Sequence, residues 1–146
     1  MVKSSYPEKW GQIIAGFFFC RWLASILMVV LLDICTWFAF KDMSGVATFE
    51  GGDKLLHILA FFVISIVGHL SLCFDLFPKK RHPALWIFGV NGLACMGYGV
   101  FIELVQMFLS HRSSSSADLA ADAIGVLMGM LTVIFLKLYP RSEKPK

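Results

Sequence analysis

The stretch GGDKLLHILAFF, residues 51–62, decides how this chain is read. Asp53, Lys54 and His57 stand at the head of a run that is otherwise greasy and continues to about residue 73. The run shows no polar face at the 3.6-residue period that a helix on the surface of a soluble bundle requires. Three more apolar runs cover roughly 22–40, 84–109 and 119–138, with 55–73 completing the set. Each is close to the ~20 residues a helix needs to cross a bilayer core at ~1.5 Å per residue. Barrel strands are excluded, because such strands are about half this length and alternate in polarity. With 58% hydrophobic residues and a mean hydropathy of +0.73, the chain is too apolar for a soluble domain. The sequence therefore predicts an all-α, polytopic membrane protein: a single membrane domain over residues 1–146, four transmembrane helices, and a basic tail at 139–146. The first run exceeds the ~7–15 residues of a signal-peptide core, and no small-x-small site follows it. It reads as a retained helix.

Orientation follows from Lys and Arg. Ten of the thirteen basic residues lie in the N-terminal segment (Lys3, Lys9, Arg21), the loop after the second run (Lys79, Lys80, Arg81) and the C-terminal end (Lys137, Arg141, Lys144, Lys146). Both termini and the middle loop are thus expected in the cytoplasm, with Pro78 and Pro83 bracketing the basic loop. Lys41, Lys54 and Arg112 fall in the two loops that face outward. The net charge of +3 is a topology signal. Without a basic stripe interleaved with aromatics, no nucleic-acid partner is expected.

A second stretch, YGVFIELVQMFLSHRSSSSADLAADAIG (98–125), carries Glu103, Gln106, His111, Arg112, Asp118 and Asp122 into apolar surroundings. An acidic residue near a helix centre costs roughly 3 kcal/mol on insertion scales. From the helix rise, Glu103 lies about 9 Å inside its run, and His57 and Asp122 each lie about 6 Å past the aspartates that precede them by one turn. Such residues should face one another, pair with cations or bind protons. Spacing agrees: Asp53 and His57, Glu103 and Gln106, and Asp118 and Asp122 each share one helix face at i, i+3 or i, i+4. Gly99, Gly125 and Gly129 permit close helix approach. Two helices begin at the outer face, and their N-termini with Lys54, His111 and Arg112 would cradle a phosphate or carboxylate. Asp53 and Asp118 are equally suited to capping their helices, and Ser115-Ser116-Ala117-Asp118 has capping-box chemistry. The face occupied by Asp33 is not fixed by the pattern.

Cys20, Cys35, Cys73 and Cys95 lack CxxC spacing and read as packing residues. His57, Asp53, Glu103 and Asp122 could in principle hold a metal, but no HExxH or similar ligand spacing is present and carboxylate–basic networks are commoner, so neither a metal nor another cofactor is expected. Ser113 to Ser116 form a cap and loop tract, without a GxSxG elbow. His69 and His82, toward the cytoplasmic side, receive no role, and the inner halves offer no ionisable residues that match the outer set and would continue a transport path.

Taken in order, D-K-x-x-H at 53–57, G-x-x-x-E-x-x-Q at 99–106, Arg112, and D-x-x-A-D-x-x-G at 118–125 resemble the VanZ-like family of bacterial membrane proteins. The resemblance spans about residues 50–135. It implies a bacterial cytoplasmic-membrane location and singles out Asp53, Lys54, His57, Glu103, Gln106, Arg112, Asp118 and Asp122 as ligand-binding positions. The family's namesake is associated with reduced susceptibility to teicoplanin, a glycopeptide antibiotic. This chain departs from the pattern at Asp122, where Asn is common. The reading that results is a membrane protein with an outward-facing ionisable site for an anionic envelope molecule, a lipid phosphate or a cell-wall precursor. The alternative is a non-enzymatic helical protein whose polar network is structural and serves a partner. The sequence leaves open whether there is catalysis and whether the chain forms an oligomer.

Overall fold

Four helices emerge where the apolar runs stand. The computed structural model describes residues 22–41, 51–77, 84–109 and 115–138, and all the regular structure among them is helical. They are α1 (Leu23–Phe40), α2 (Gly52–Leu70, prolonged by a π-helical turn over Ser71–Leu76), α3 (Ala84–Gln106) and α4 (Ser116–Phe135). Each is long and apolar enough to cross a membrane, and large side chains such as Trp37, Leu85, Leu93 and Phe135 stay exposed, where lipid would meet them.

The ends differ from the hydropathy limits in an instructive way. α2 starts at Gly52 and α4 at Ser116, each three residues before its apolar run, so Asp53 and Asp118 fall inside the first turn. Capping fixes these starts. Gly51, with φ of 85°, precedes α2, and Ser115 caps α4 by accepting the Ala117 amide on its side chain at 3.2 Å. Neither aspartate is the capping residue.

The helices run alternately up and down. α2 and α4 pack most intimately, and glycine makes this contact. A Cβ at Gly125 would overlap the carbonyl oxygen of Ile58, and one at Gly129 would lie 2.8 Å from the Phe62 carbonyl oxygen. The α4 backbone thus touches the α2 backbone directly. Phe61, Ile64, Cys95 and Val126 fill the middle of the bundle, and Ala24, Leu70, Val133 and Leu138 fill the end where α1 starts. α1 is peripheral, with Ala24 its only buried residue. Asp33 lies on its exposed side.

Hydrogen bonds between helices complete the packing. Tyr98 on α3 donates to the Leu32 carbonyl at 3.0 Å and meets Thr36 Oγ1 at 2.9 Å. Asn91 Nδ2 donates to the Ser65 carbonyl at 2.9 Å, and Ser65 Oγ donates to the Val126 carbonyl at 3.2 Å. In a bilayer each bond of this kind contributes about 0.6 kcal/mol, up to ~1.7. The cysteines Cys73 and Cys95 are buried and free, as packing residues should be; Cys20 lies outside the described residues.

Gly125→Ala forces two backbones apart and should destabilise the fold by about 1–3 kcal/mol. Gly97→Ala, where a Cβ meets nothing within 4 Å, should be neutral or stabilising by up to ~1 kcal/mol. Unfolding of the two variants in the same detergent, followed by circular dichroism, checks the contrast.

Candidate functional site

The seam between α2 and α4 carries polar groups to the end where both helices begin. His57 follows Asp53 by one turn on α2, and Asp122 follows Asp118 by one turn on α4. Close approach at Gly125 puts the two helices in register one turn below. His57 Nδ1 meets Asp122 Oδ1 at 2.7 Å, with the imidazole 15% exposed and the carboxylate 1%. A carboxylate in that position accepts the Nδ1 proton and fixes the ring's orientation, so Nε2 is the nitrogen left to face outward chemistry.

Asp122 is enclosed on its other side as well. A Cβ at Gly99 would lie 2.7 Å from Asp122 Oδ2. The bare glycine on α3 makes room for this carboxylate. Asp122 Oδ2 and Asp118 Oδ1 are both buried and meet no hydrogen-bond partner among the described residues. Asp118 is 4% exposed, whereas Asp53 and Lys54 are exposed at the rim. One ligand atom from each of Asp53, His57 and Asp118 lies within 4.8 Å of the others. The structure thus gathers Asp53, His57, Asp118 and Asp122, with Lys54 at the edge.

Glu103 and Gln106 are employed differently. Glu103 Oε2 accepts the backbone amide of Ser115 at 3.0 Å, so a carboxylate from α3 satisfies one of the orphan donors at the start of α4. The sequence had suggested a capping box with Asp118 as the returning arm; the returning arm is Glu103, from another helix. Gln106 Nε2 donates to the Ala39 carbonyl at 2.9 Å, which ties the end of α3 to the end of α1. Both side chains are buried. Arg112 and His111 lie outside the described residues.

The opposite end holds polar groups to which the sequence assigned no role: Asp75 and His69 are both buried there. Asp75 Oδ2 accepts the Ser25 amide at 2.7 Å, and the hydroxyls of Ser25 and Ser71 meet at 2.8 Å. Asp75 therefore caps α1 from α2. His69 packs on Phe88, with ring centroids 4.5 Å apart, and its Nε2 lies 3.3 Å from Cys73 Sγ. A single acidic residue in a run ending in Pro was the available signal; its partner amide was not.

Two substitution series follow from this geometry. Glu103→Ala should cost about 1 kcal/mol of local stability, read as roughly fivefold faster amide exchange at residues 115–118, while Glu103→Gln keeps an acceptor and exchanges more slowly than the alanine variant. A double-mutant cycle on His57 and Asp122, each replaced by Ala, should give a coupling of about 0.5–2 kcal/mol in unfolding experiments. Additive effects in the cycle would mean that the pair does not interact.

No curated protein and no solved structure matches the chain. A family model, VanZ/LLP1, matches residues 5–137. That match covers nearly the whole chain, including all four apolar helices, and it agrees with the resemblance carried by the motifs around His57, Glu103 and Asp118. The chain is a multi-pass membrane protein and belongs to the VanZ/LLP1 family.

Proposed function

We propose that the α2–α4 mouth binds an anionic molecule of the cell envelope, a lipid phosphate or a cell-wall precursor, entering from the outer leaflet. The observation that carries this reading is the His57–Asp122 pair, held at 2.7 Å next to a rim that opens to the exterior of the bundle. Two helices begin at this rim, and each brings the positive end of its dipole there. Lys54 stands on α2 at the rim, and Arg112 belongs to the segment that leads into α4. Roles follow from chemistry: Lys54 and Arg112 for the anion's charge, and His57 Nε2, oriented through Asp122, for hydrogen bonding or proton transfer. Location in a bacterial cytoplasmic membrane with both termini inside places the mouth on the outer face, where teicoplanin-type antibiotics meet cell-wall precursors. An influence on glycopeptide susceptibility belongs to this proposal.

A second reading has its own support. Glu103 and Gln106 bond to Ser115 and Ala39 of neighbouring helices, which suits a structural network that holds the helices for a partner protein. The two readings part on one experiment. Native mass spectrometry of the protein, purified in a gentle detergent, should show a co-bound anionic lipid or precursor, with occupancy at least about tenfold lower in His57→Ala and Arg112→Ala. Absence of any anionic adduct from folded wild-type protein favours the structural network.

A further inference from the structure

We propose that Asp53, His57 and Asp118, with Asp122 behind the imidazole, form a binding site for one divalent cation at the α2–α4 mouth. Three observations converge. The ligand atoms of the trio already lie within 4.8 Å of one another. Ligands around an ion with bonds of about 2.1 Å stand about 3 to 4 Å apart, so small side-chain rotations complete the arrangement. Asp118, only 4% exposed, keeps Oδ1 buried without a hydrogen-bond partner among the described residues. A carboxylate oxygen in that state lacks compensation for its lost water, and a cation supplies it. The third observation lies outside the ligand trio: His57 Nδ1 is engaged by Asp122 Oδ1 at 2.7 Å. This is the carboxylate–imidazole arrangement that holds a metal-ligating histidine, with Nε2 free to donate its lone pair.

The charge balance points the same way. Among the described residues the mouth gathers Asp53, Glu103, Asp118 and Asp122 against Lys54 and, when protonated, His57. Without an added cation the mouth would not be a site of excess positive charge, which an anionic ligand needs. One imidazole and two carboxylates make a mixed nitrogen and oxygen set suited to Zn²⁺ or Mn²⁺. Exposure of Asp53 on one side leaves further coordination positions open toward the exterior. HExxH-type spacing does not register such a site, because its ligands come from two helices far apart in the chain. The inference deepens the anion-binding reading and rests on it only for the occupant of those open positions.

The test is titration of Zn²⁺ and Mn²⁺ into the full chain, purified in neutral detergent and stripped with a chelator, by calorimetry. One ion per chain should bind, about 100-fold more weakly in Asp118→Asn and Asp53→Asn and about 10- to 100-fold more weakly in Asp122→Asn. Asp53 is exposed, so Asp53→Asn leaves the helix packing intact and reports on the site even should Asp118→Asn fail to fold. Millimolar or weaker binding of both ions to the wild type, or unchanged affinity in Asp53→Asn, overturns the cation site. Inorganic phosphate is then titrated into stripped and Zn²⁺-loaded protein. Phosphate binding at least tenfold tighter to the loaded form supports both inferences. Phosphate binding to a protein that takes up no ion overturns the cation and leaves the anion reading standing. Ion uptake without phosphate binding keeps the cation and removes the anion reading.

Discussion

The backbone contact of α4 with α2 is the constraint from which the other features follow. Gly125 and Gly129 let the two helices touch where any side chain would collide with carbonyl groups of Ile58 and Phe62. That proximity sets the register of the whole seam. One turn toward the mouth it brings His57 to Asp122, and toward the middle it brings Ser65 to the Val126 carbonyl. Spread the helices by the width of a methyl group and each of these pairs becomes a buried polar atom in an apolar medium. Small residues here decide where the polar ones meet.

A second regularity concerns helix starts. In water, the orphan amides at an N-terminus can be solvated. Near or within a bilayer that option closes, and this chain answers with carboxylates borrowed from other helices. Asp75 from α2 accepts an amide in the first turn of α1, and Glu103 from α3 accepts the Ser115 amide at the start of α4. Each acid thereby gains hydrogen bonds and a favourable dipole while joining two helices. Acidic residues in apolar runs thus divide into two kinds. Glu103 and Asp75 each accept a backbone amide of another helix, whereas Asp122 holds the His57 imidazole and Asp118 lies beside it at the α2–α4 mouth.

The helices were legible because the membrane imposes one simple rule of length and composition, and the four runs obey it. Their ends were less legible, since Gly51 and Ser115 mark the starts through backbone geometry and capping, which hydropathy does not register. Among the site residues, His57 and Asp122 stood out as ionisable groups on shared faces, and the face-sharing argument holds for them. Gln106, which the same argument set beside Glu103, makes a helix–helix hydrogen bond to the Ala39 carbonyl. Asp75, His69 and Asn91 were passed over. A polar side chain shows in sequence that a partner is needed, while the identity of the partner is tertiary information. The cross-helix caps show this best, because their acceptors are side chains and their donors are backbone amides that every residue possesses.

The π-helical turn at Ser71–Leu76 has a further consequence for how this protein can change over evolutionary time. It widens the winding of α2 just before the chain delivers Asp75 to Ser25. Rewinding the same residues as ordinary α-helix would turn their far end by roughly 100°, carrying Asp75 off the Ser25 amide, whereas removing one residue as the turn is rewound would leave the later register nearly unchanged. The extra residue and the wide turn therefore compensate each other. A chain that keeps the acid and every residue of the segment but not the wide turn must recruit a different side chain to hold its first helix.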